Sequence, residues 1–145
     1  MTELHFRRLR AEATLPQAAH AGDAGLDLRA AEPATVAPGE RAKIPTGLAV
    51  AIPEGHAGLV LPRSGLASKH GLTLANAPGL IDAGYRGEVI VAVVNLDREQ
   101  AVTIAAGDRI AQLVVVALPE VVPSFVDELP DTARGEGGFG SSGTA

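Results

Sequence analysis

The sequence predicts an all-β domain, and two features of its residue pattern support that prediction. Apolar residues occur in short runs or alternate with polar ones, whereas the 3.6-residue spacing of an amphipathic helix is almost absent. Residues typical of turns recur every several positions between these runs. Many short strands separated by regular turns are typical of a β-sandwich or a β-barrel.

The predicted strands follow one another along the chain without a linker or an internal repeat. The strongest are dense in β-branched residues, which favour strands, and lie at 88–96, 101–107 and 109–118. Residues 41–55 predict two strand pieces separated at Pro45. Further strands are predicted at 4–11, 26–30 and 56–62. The turn sequences VAPGE (36–40) and NLDRE (95–99) predict hairpin-like connections.

Only one helix is predicted, a turn or two at 64–71 (SGLASKHG). The strand pattern ends near residue 127, and the last twelve residues, RGEGGFGSSGTA, contain five glycines. Each ordered glycine loses more backbone freedom than any other residue. We therefore expect a β domain over residues 1–126 and a flexible, glycine-rich arm over residues 127–145.

Composition limits the classes of protein to which the chain can belong. Its 145 residues are enough for one domain, and with 46% hydrophobic but only 3% aromatic residues the core must consist of Val, Ile, Leu and Ala. The absence of cysteine excludes disulfides and thiolate chemistry and is compatible with a cytoplasmic location. A net charge of −5 argues against nucleic acid as a partner. No apolar run approaches the length of a membrane span.

The run LVVVAL (113–118) is continuously apolar rather than alternating. A strand of this kind is covered on both faces. The second cover is either another subunit or a second sheet of the same chain, and the sequence alone does not decide between them.

Two glycine-containing segments carry candidate site residues. PRSGLASKHGL (62–72) brings together Arg63, Ser64 and Gly65, which suit an oxyanion cradle or form an ordinary polar turn. NAPGLIDAGYRGEV (76–89) contains Asp82, a candidate general base, and Tyr85, which could stack on a ring or sugar. The alternative for this second segment is a tight hairpin that the tyrosine covers.

Three further segments are weaker candidates when taken singly. AGDAGLDLRA (21–30) places Asp23 and Asp27 where they could hold a hydrated Mg²⁺, but not a complete protein cage. In GDRIAQLVV (107–115), Arg109 needs a partner, either a carboxylate of the fold or a ligand phosphate. The tail is similar to a phosphate-binding loop or to a disordered linker. The histidines are scattered without metal-ligand spacing.

These five segments, in this order and at these distances, resemble the five motifs of the homotrimeric dUTPases of bacterial type. The resemblance spans about residues 20 to 143. It implies a jelly-roll-like β-barrel or sandwich subunit and a trimer with three sites, each formed by all three chains. The glycine-rich arm of one chain would close over a pocket shared by the other two, and the reaction would be Mg²⁺-assisted hydrolysis of dUTP to dUMP and pyrophosphate.

The resemblance also implies roles for the residues that contact base and sugar. Asp82 matches the general base that activates the attacking water. Asn76 and the backbone of Leu80, Ile81 and Asp82 match the stretch that reads uracil. Tyr85 matches the residue that packs under the deoxyribose and leaves no room for a 2′-hydroxyl.

On the phosphate side, Ser64 and Gly65 match the cradle of the phosphate chain, and Arg63 supports the α-phosphate region. Arg109 and Gln112 belong to the same side of the site.

The resemblance places the metal and the arm at the remaining positions. Asp27 matches the acid that reaches Mg²⁺ through water molecules. In the arm, Arg134 with Ser141 or Ser142 matches the grip on the γ-phosphate, and Phe139 matches the aromatic that stacks on uracil.

Two positions depart from the family pattern. Leu80 stands where many relatives have threonine, which weakens base selection if a side-chain bond is lost. Ile90 replaces a lysine, so we expect a modest loss of substrate affinity. The rival readings are a dCTP deaminase, which would need a glutamate near the RSGLASKHG segment, and a non-enzymatic nucleotide-responsive or structural trimer.

Overall fold

The computed structural model describes residues 3–144, and their fold is mostly antiparallel β-structure. The one helix, α1, spans Ser64–His70. The strands, in chain order, are β1 His5–Arg8, β2 Leu26–Arg29, β3 Ala34–Val36, β4 Arg41–Ala51, β5 His56–Leu61, β6 Leu72–Leu74, β7 Gly79–Ile81, β8 Glu88–Asn95, β9 Val102–Ile104 and β10 Arg109–Ala117.

The described strands form two four-stranded sheets and one two-stranded sheet. The first sheet has the order β1-β4-β8-β6 and the second the order β2-β10-β5-β7, while β3 pairs with β9. Every pair is antiparallel. The all-β, jelly-roll-like prediction is therefore confirmed, although the sheets of residues 3–144 do not close into a barrel.

The core lies between the two larger sheets and is aliphatic. Strand β8 shows the alternation that builds it, since Val89, Val91 and Val93 are buried while Ile90 between them is exposed. Leu28 of β2 and Leu113 of β10 are fully buried on the opposite sheet. Such alternation follows from the two-residue repeat of a strand, which sends successive side chains to opposite faces.

The prediction that residues 41–55 form two strand pieces separated at Pro45 is wrong. Strand β4 runs unbroken over Arg41–Ala51, with Pro45 opposite Ile90. Proline lacks a backbone donor, and the ladder becomes irregular directly after it, between Pro45 and Ala49. There the Thr46 hydroxyl donates to the Val89 carbonyl at 2.6 Å and links β4 to β8 at this irregularity.

The two turns predicted to close hairpins instead carry the chain between sheets. Residues 36–40 lead from β3, which pairs with β9, to β4, which pairs with β8. Residues 95–99 lead from β8 to β9, and these two strands are not paired with each other. Turn residues indicate that the chain changes direction, but they do not identify the partner of the next strand.

Strands β3, β6 and β7 were not predicted. Each has only three residues, too few for alternation to stand out. The apolar run at 113–118 is fully buried only at its first residue. Leu113 is fully buried, Val114 to Val116 are half-buried, and Leu118 is 52% exposed. Within a single chain, the outer face of β10 is therefore only partly covered.

Asn95 joins the crossing segments at the end of β8. Its side chain is fully buried, and its amide donates to the carbonyls of Val36 at 3.0 Å and Gln100 at 2.8 Å. Its Oδ1 accepts from the N–H of Asp97 at 2.9 Å. The backbone N–H groups of Gln100 and Glu99 in turn lower the pKa of the Asp97 carboxyl below its ordinary value.

We predict that Asn95→Ala lowers the free energy of unfolding by about 2–4 kcal/mol, because it breaks several buried hydrogen bonds and leaves backbone groups unpaired. Urea unfolding followed by circular dichroism measures the change. Gln100→Ala is the matched control, since it leaves the Gln100 carbonyl in place, and it should change stability by less than about 0.5 kcal/mol. Equal losses in the two variants would contradict the role assigned to Asn95.

Candidate active site

The first candidate half-site is a cleft of about 190 Å³. It lies beside the bend of residues 82–88, which we call the hairpin, although the strands that it connects, β7 and β8, lie in different sheets and are not paired. Asn76, Leu80, Ile81, Asp82 and Tyr85, all predicted to contact base, sugar or water, line it together. The structure therefore brings together the candidate residues of the third motif. We call this space the hairpin cleft.

The backbone beside the hairpin cleft is free to read a ligand. Among residues 3–144, strand β7, which contains Leu80, pairs only with β5 and lies at the edge of its sheet. An edge strand presents unpaired N–H and C=O groups on its outer side. The Leu80 side chain itself is 65% exposed, so a backbone role does not depend on which side chain stands there.

Asp82 and Tyr85 are held by the hairpin itself. The Tyr85 N–H donates to the Asp82 carbonyl at 3.0 Å, and the Tyr85 hydroxyl donates to the Glu88 carbonyl at 2.9 Å. Arg86 closes the turn by donating to the carbonyls of Ala83 and Tyr85. The Asp82 carboxylate is exposed and makes no hydrogen bond or ion pair with any of residues 3–144. It is therefore available to a water molecule.

The second candidate half-site consists of Asp27, Arg63, Arg109 and Gln112, which we call the arginine cluster. The Asp27 carboxylate lies 3.2 Å from Arg109 and 3.7 Å from Arg63, and its side chain is 16% exposed. Arg63 also donates to the Arg109 carbonyl at 3.1 Å. Arg109 thus has the partner that the sequence predicts, and in the free chain this partner is a carboxylate of the fold.

Sheet register creates the arginine cluster. Gln112 of β10 lies between Asp27 of β2 and Leu61 of β5. Its amide donates to the Pro62 carbonyl at 3.1 Å, directly before Arg63. Ser64 and Gly65 then begin helix α1, where the first N–H groups have no acceptor within the helix. Two guanidiniums, an amide, a hydroxyl and free N–H groups suit a chain of phosphates.

The two half-sites lie far apart in one chain. Asp82 follows β7, whose Ile81 pairs with Gly58 of β5, whereas Gln112 and Asp27 align with Leu61. Asp27 is thus three strands away from Asp82, which is about 14 Å across the sheet and about 13 Å along it. The separation is therefore roughly 20 Å. At this distance, Asp82 and the guanidiniums of the arginine cluster in the same chain cannot contact the same phosphate group.

The predicted residues of the arm lie at neither half-site. Phe139 is fully exposed, and the described bond of the Arg134 side chain, 2.7 Å to the Gly137 carbonyl, stays within the arm. Ser141 and Ser142 are exposed as well. Past β10, no strand or helix is present up to residue 144. The boundary at 126/127 stays a prediction.

The residues present fit a metal held through water rather than in a cage. Within residues 3–144, no three His, Cys, Asp or Glu side chains gather closely enough to hold an ion. Asp27 supplies one carboxylate, which its two arginine partners already compensate. The described part of the chain also contains no helix long and apolar enough to cross a membrane.

Sequence reasoning missed residues that support these half-sites. Glu88 lines the hairpin cleft and accepts from the Gly47 N–H at 2.9 Å, and Arg10 pairs with it at 3.3 Å. Arg29 lines a cavity of about 320 Å³ beside Arg63 and Arg109. The sequence shows that Glu88 follows Tyr85 by three residues. It does not indicate that Arg10, far away in the chain, pairs with this acid.

Comparison with known proteins identifies the family. A family model described as dUTPase matches residues 11–143. A deoxyuridine 5′-triphosphate nucleotidohydrolase of Leifsonia xyli is 60% identical over 89% of this chain and 85% of its own length. One from Mycolicibacterium gilvum is 55% identical over 98% of this chain and 96% of its own. The chain belongs to the dUTPase family.

Solved structures agree with this assignment. The Staphylococcus bacteriophage 80alpha dUTPase with dUpNHpp superimposes with a TM-score of 0.91 and 34% identity, over 99% of this chain and 100% of that one. A mutant dUTPase of phage phi11 of S. aureus, described as revealing the coordination of a structural Mg(II) ion, has a TM-score of 0.81 and 32% identity, over 88% of this chain and 98% of that one.

We predict that Asp27→Asn strengthens binding of metal-free pyrophosphate about two- to fivefold, because one negative charge no longer competes for Arg63 and Arg109. Isothermal titration calorimetry in EDTA measures this affinity. Asp23→Asn changes an exposed carboxylate that instead accepts a hydrogen bond from the backbone N–H of His20, and it should leave the affinity unchanged. Equal affinities in the parent and Asp27→Asn would show that the ion pairs do not limit anion access.

Proposed function

We propose that this chain hydrolyses dUTP to dUMP and pyrophosphate, as a dUTP diphosphatase. The observation that carries the proposal is the hairpin cleft, in which Asn76, Asp82 and Tyr85 meet around one space. Membership of the dUTPase family, whose compared members are named deoxyuridine 5′-triphosphate nucleotidohydrolase, supports it. The reaction lowers dUTP, which keeps uracil out of DNA, and supplies dUMP for thymidylate synthesis.

In this proposal the hairpin cleft selects the base and the sugar. The Asn76 amide and the free backbone groups from Leu80 to Asp82 pair with the edge of uracil. Cytosine exchanges an acceptor for a donor on that edge, so fixed amide and backbone groups discriminate against it. The Tyr85 ring packs under the deoxyribose and occupies the volume that a 2′-hydroxyl would need.

Asp82 is the proposed general base. Its unpaired carboxylate takes a proton from a water molecule, whose oxygen forms a bond to the α-phosphorus. The bond from that phosphorus to the oxygen bridging the α- and β-phosphates breaks, and the electron pair leaves with pyrophosphate. Positioning of water and phosphorus accounts for much of such a rate enhancement.

The arginine cluster holds the phosphate chain. Ser64 and Gly65 would cradle it with a hydroxyl and backbone N–H groups, while Arg63, Arg109 and Gln112 would stabilise the charge that develops on the leaving group. Because Asp27 pairs with both guanidiniums in the free chain, we expect incoming phosphates to compete with it for them. The freed carboxylate then faces the phosphate chain.

We propose Mg²⁺ as the cofactor, with Asp27 contacting it through water molecules. When bound, the ion would neutralise phosphate charge and help to fix the geometry of the triphosphate. Displacement of Asp27 from the arginines leaves an acceptor suited to the waters of such an ion.

We propose that the active enzyme is a homotrimer with shared sites. The separation of roughly 20 Å between Asp82 and the arginine cluster of one chain supports a site that takes its two halves from different chains. The half-covered apolar face of β10 supplies a surface on which subunits can pack. The third chain would contribute the arm of residues 127–145, with Phe139 on uracil and Arg134, Ser141 and Ser142 on the γ-phosphate.

We also propose a cytoplasmic location, because free nucleotides are made and used there. Neither a membrane nor nucleic acid is needed for this reaction, and the net charge of −5 does not favour the latter as a partner.

We predict that Asp82→Asn still binds dUpNHpp but loses about 10²- to 10⁴-fold in kcat, the usual range for a lost general base. A pyrophosphate-release assay and a binding titration measure the two quantities. Asp127→Asn, which alters an exposed carboxylate, is the control. An Asp82→Asn variant that hydrolyses dUTP within a few-fold of the parent would remove Asp82 from this role.

We predict that deletion of residues 134–145 leaves a folded trimer with kcat/KM for dUTP lowered about 10²-fold, since the arm's contacts with base and γ-phosphate are lost. Size-exclusion chromatography with light scattering and steady-state kinetics measure assembly and turnover. Deletion of residues 143–145 keeps every proposed contact and serves as the control. A truncated protein that is monomeric would make the arm structural, and one that is fully active would make it dispensable.

A further inference from the structure

The ring of Tyr85 lies directly against Gly87. A Cβ atom placed on Gly87 would lie 2.5 Å from the Tyr85 hydroxyl oxygen, 2.7 Å from Cζ and 3.0 Å from Cε2. Real Cβ atoms essentially never approach other heavy atoms to less than 3.0 Å, as the first two of these contacts would require. The observed position of the ring therefore requires that residue 87 has no side chain.

The backbone of Gly87 gives no independent reason for glycine. Gly87 is not among the glycines with positive φ, so its φ does not require glycine. Gly84 in the same hairpin also lacks positive φ, but a Cβ atom there would meet nothing within 4 Å. Both glycines are exposed, but the Tyr85 ring lies against Gly87 and not against Gly84.

A second set of contacts holds the ring against Gly87. The Tyr85 hydroxyl donates to the carbonyl of Glu88 at 2.9 Å. The Glu88 carboxylate accepts from the Gly47 N–H at 2.9 Å and pairs with Arg10 at 3.3 Å, which ties this residue to strand β4 and to the N-terminal segment. The far end of the ring is thus fixed to a residue that is itself anchored, although the side of the ring facing the hairpin cleft stays open.

We propose that Gly87 is a specificity-determining, positioning residue: by having no side chain, it sets the position of the Tyr85 ring and so the discrimination between deoxyribose and ribose. This inference rests on the proposed function, and it extends that function to a residue that does not touch the substrate. A methyl group at position 87 pushes the ring off the hairpin and breaks its bond to Glu88. Because the ring is 45% exposed, it can move without unfolding the domain.

The kinetic test compares Gly87→Ala with Gly84→Ala in the full-length protein. The measured quantity is the ratio of kcat/KM for dUTP to kcat/KM for UTP. We expect Gly87→Ala to lower this ratio about tenfold, mainly through the dUTP value, because an ångström-scale displacement of a positioning group has effects of this size or larger. Gly84→Ala should stay within about twofold of the parent. An unchanged ratio in Gly87→Ala, or equal losses in both variants, overturns the proposal.

A spectroscopic test needs no substrate. Tyr85 is the only tyrosine of the chain and there is no tryptophan, so its fluorescence reports on this ring alone. Acrylamide quenching should increase in Gly87→Ala and stay at the parent value in Gly84→Ala, and unchanged quenching in both overturns the proposal. If the parent hydrolyses neither nucleotide, the proposed function fails, and quenching still decides whether Gly87 positions the ring.

If Gly87→Ala folds poorly, as circular dichroism would show, Tyr85→Phe alone is the second variant; if Gly87→Ala folds, the two changes form a double-mutant cycle. Tyr85→Phe removes the hydroxyl that lies closest to position 87 and its bond to Glu88, and we expect it to lower the dUTP-to-UTP ratio by itself. When both changes fold, their effects on the ratio should be less than additive because they act through one ring. Full additivity, or a Tyr85→Phe variant with the parent ratio, counts against the proposal.

Discussion

The pairing of strand β10 with both β2 and β5 is the constraint on which the arginine cluster depends. Gln112 aligns with Asp27 on one side and with Leu61 on the other. This register places Arg109 at the Asp27 carboxylate and brings the end of β5, with Arg63, to the same point. A shift by one residue would turn Gln112 into the core, because successive residues of a strand face opposite sides. Buried Leu113, the next residue, holds the register by occupying the core.

The two half-sites obtain order in different ways. The arginine cluster is ordered by long-range pairing between strands and by ion pairs that compensate its charge. The hairpin cleft is ordered locally, through the bond from the Tyr85 N–H to Asp82, the contact with Gly87 and the anchoring of Glu88. Asp82 is left without a partner in the described chain. An unpaired carboxylate at a rigid hairpin contributes little to folding but is placed where a reactant can use it.

A single chain contains both candidate half-sites but keeps them apart. The described arm places its aromatic and apolar residues in solvent, and the outer face of β10 is only half covered. Exposed apolar surface of this extent is unfavourable in water, and association with further copies would remove it. The same association would bring complementary half-sites together. In our proposal, assembly and catalysis therefore depend on the same surfaces.

The sequence by itself determined the fold class, the approximate place of the longer strands, the helix and the family. These follow from local pattern: alternation, β-branched runs, turn residues and the ordered set of motifs. It also identified Asn76, Asp82 and Tyr85, which line one cleft, and Asp27 and Arg109, which form an ion pair, although their roles stay predictions. Only the tertiary structure decided that Pro45 lies within one continuous strand, that the turns at 36–40 and 95–99 cross between sheets, and that Gly87 supports Tyr85. Each of these depends on which distant or facing atoms come into contact. The order of residues along the chain does not contain that information until strand register and packing are set.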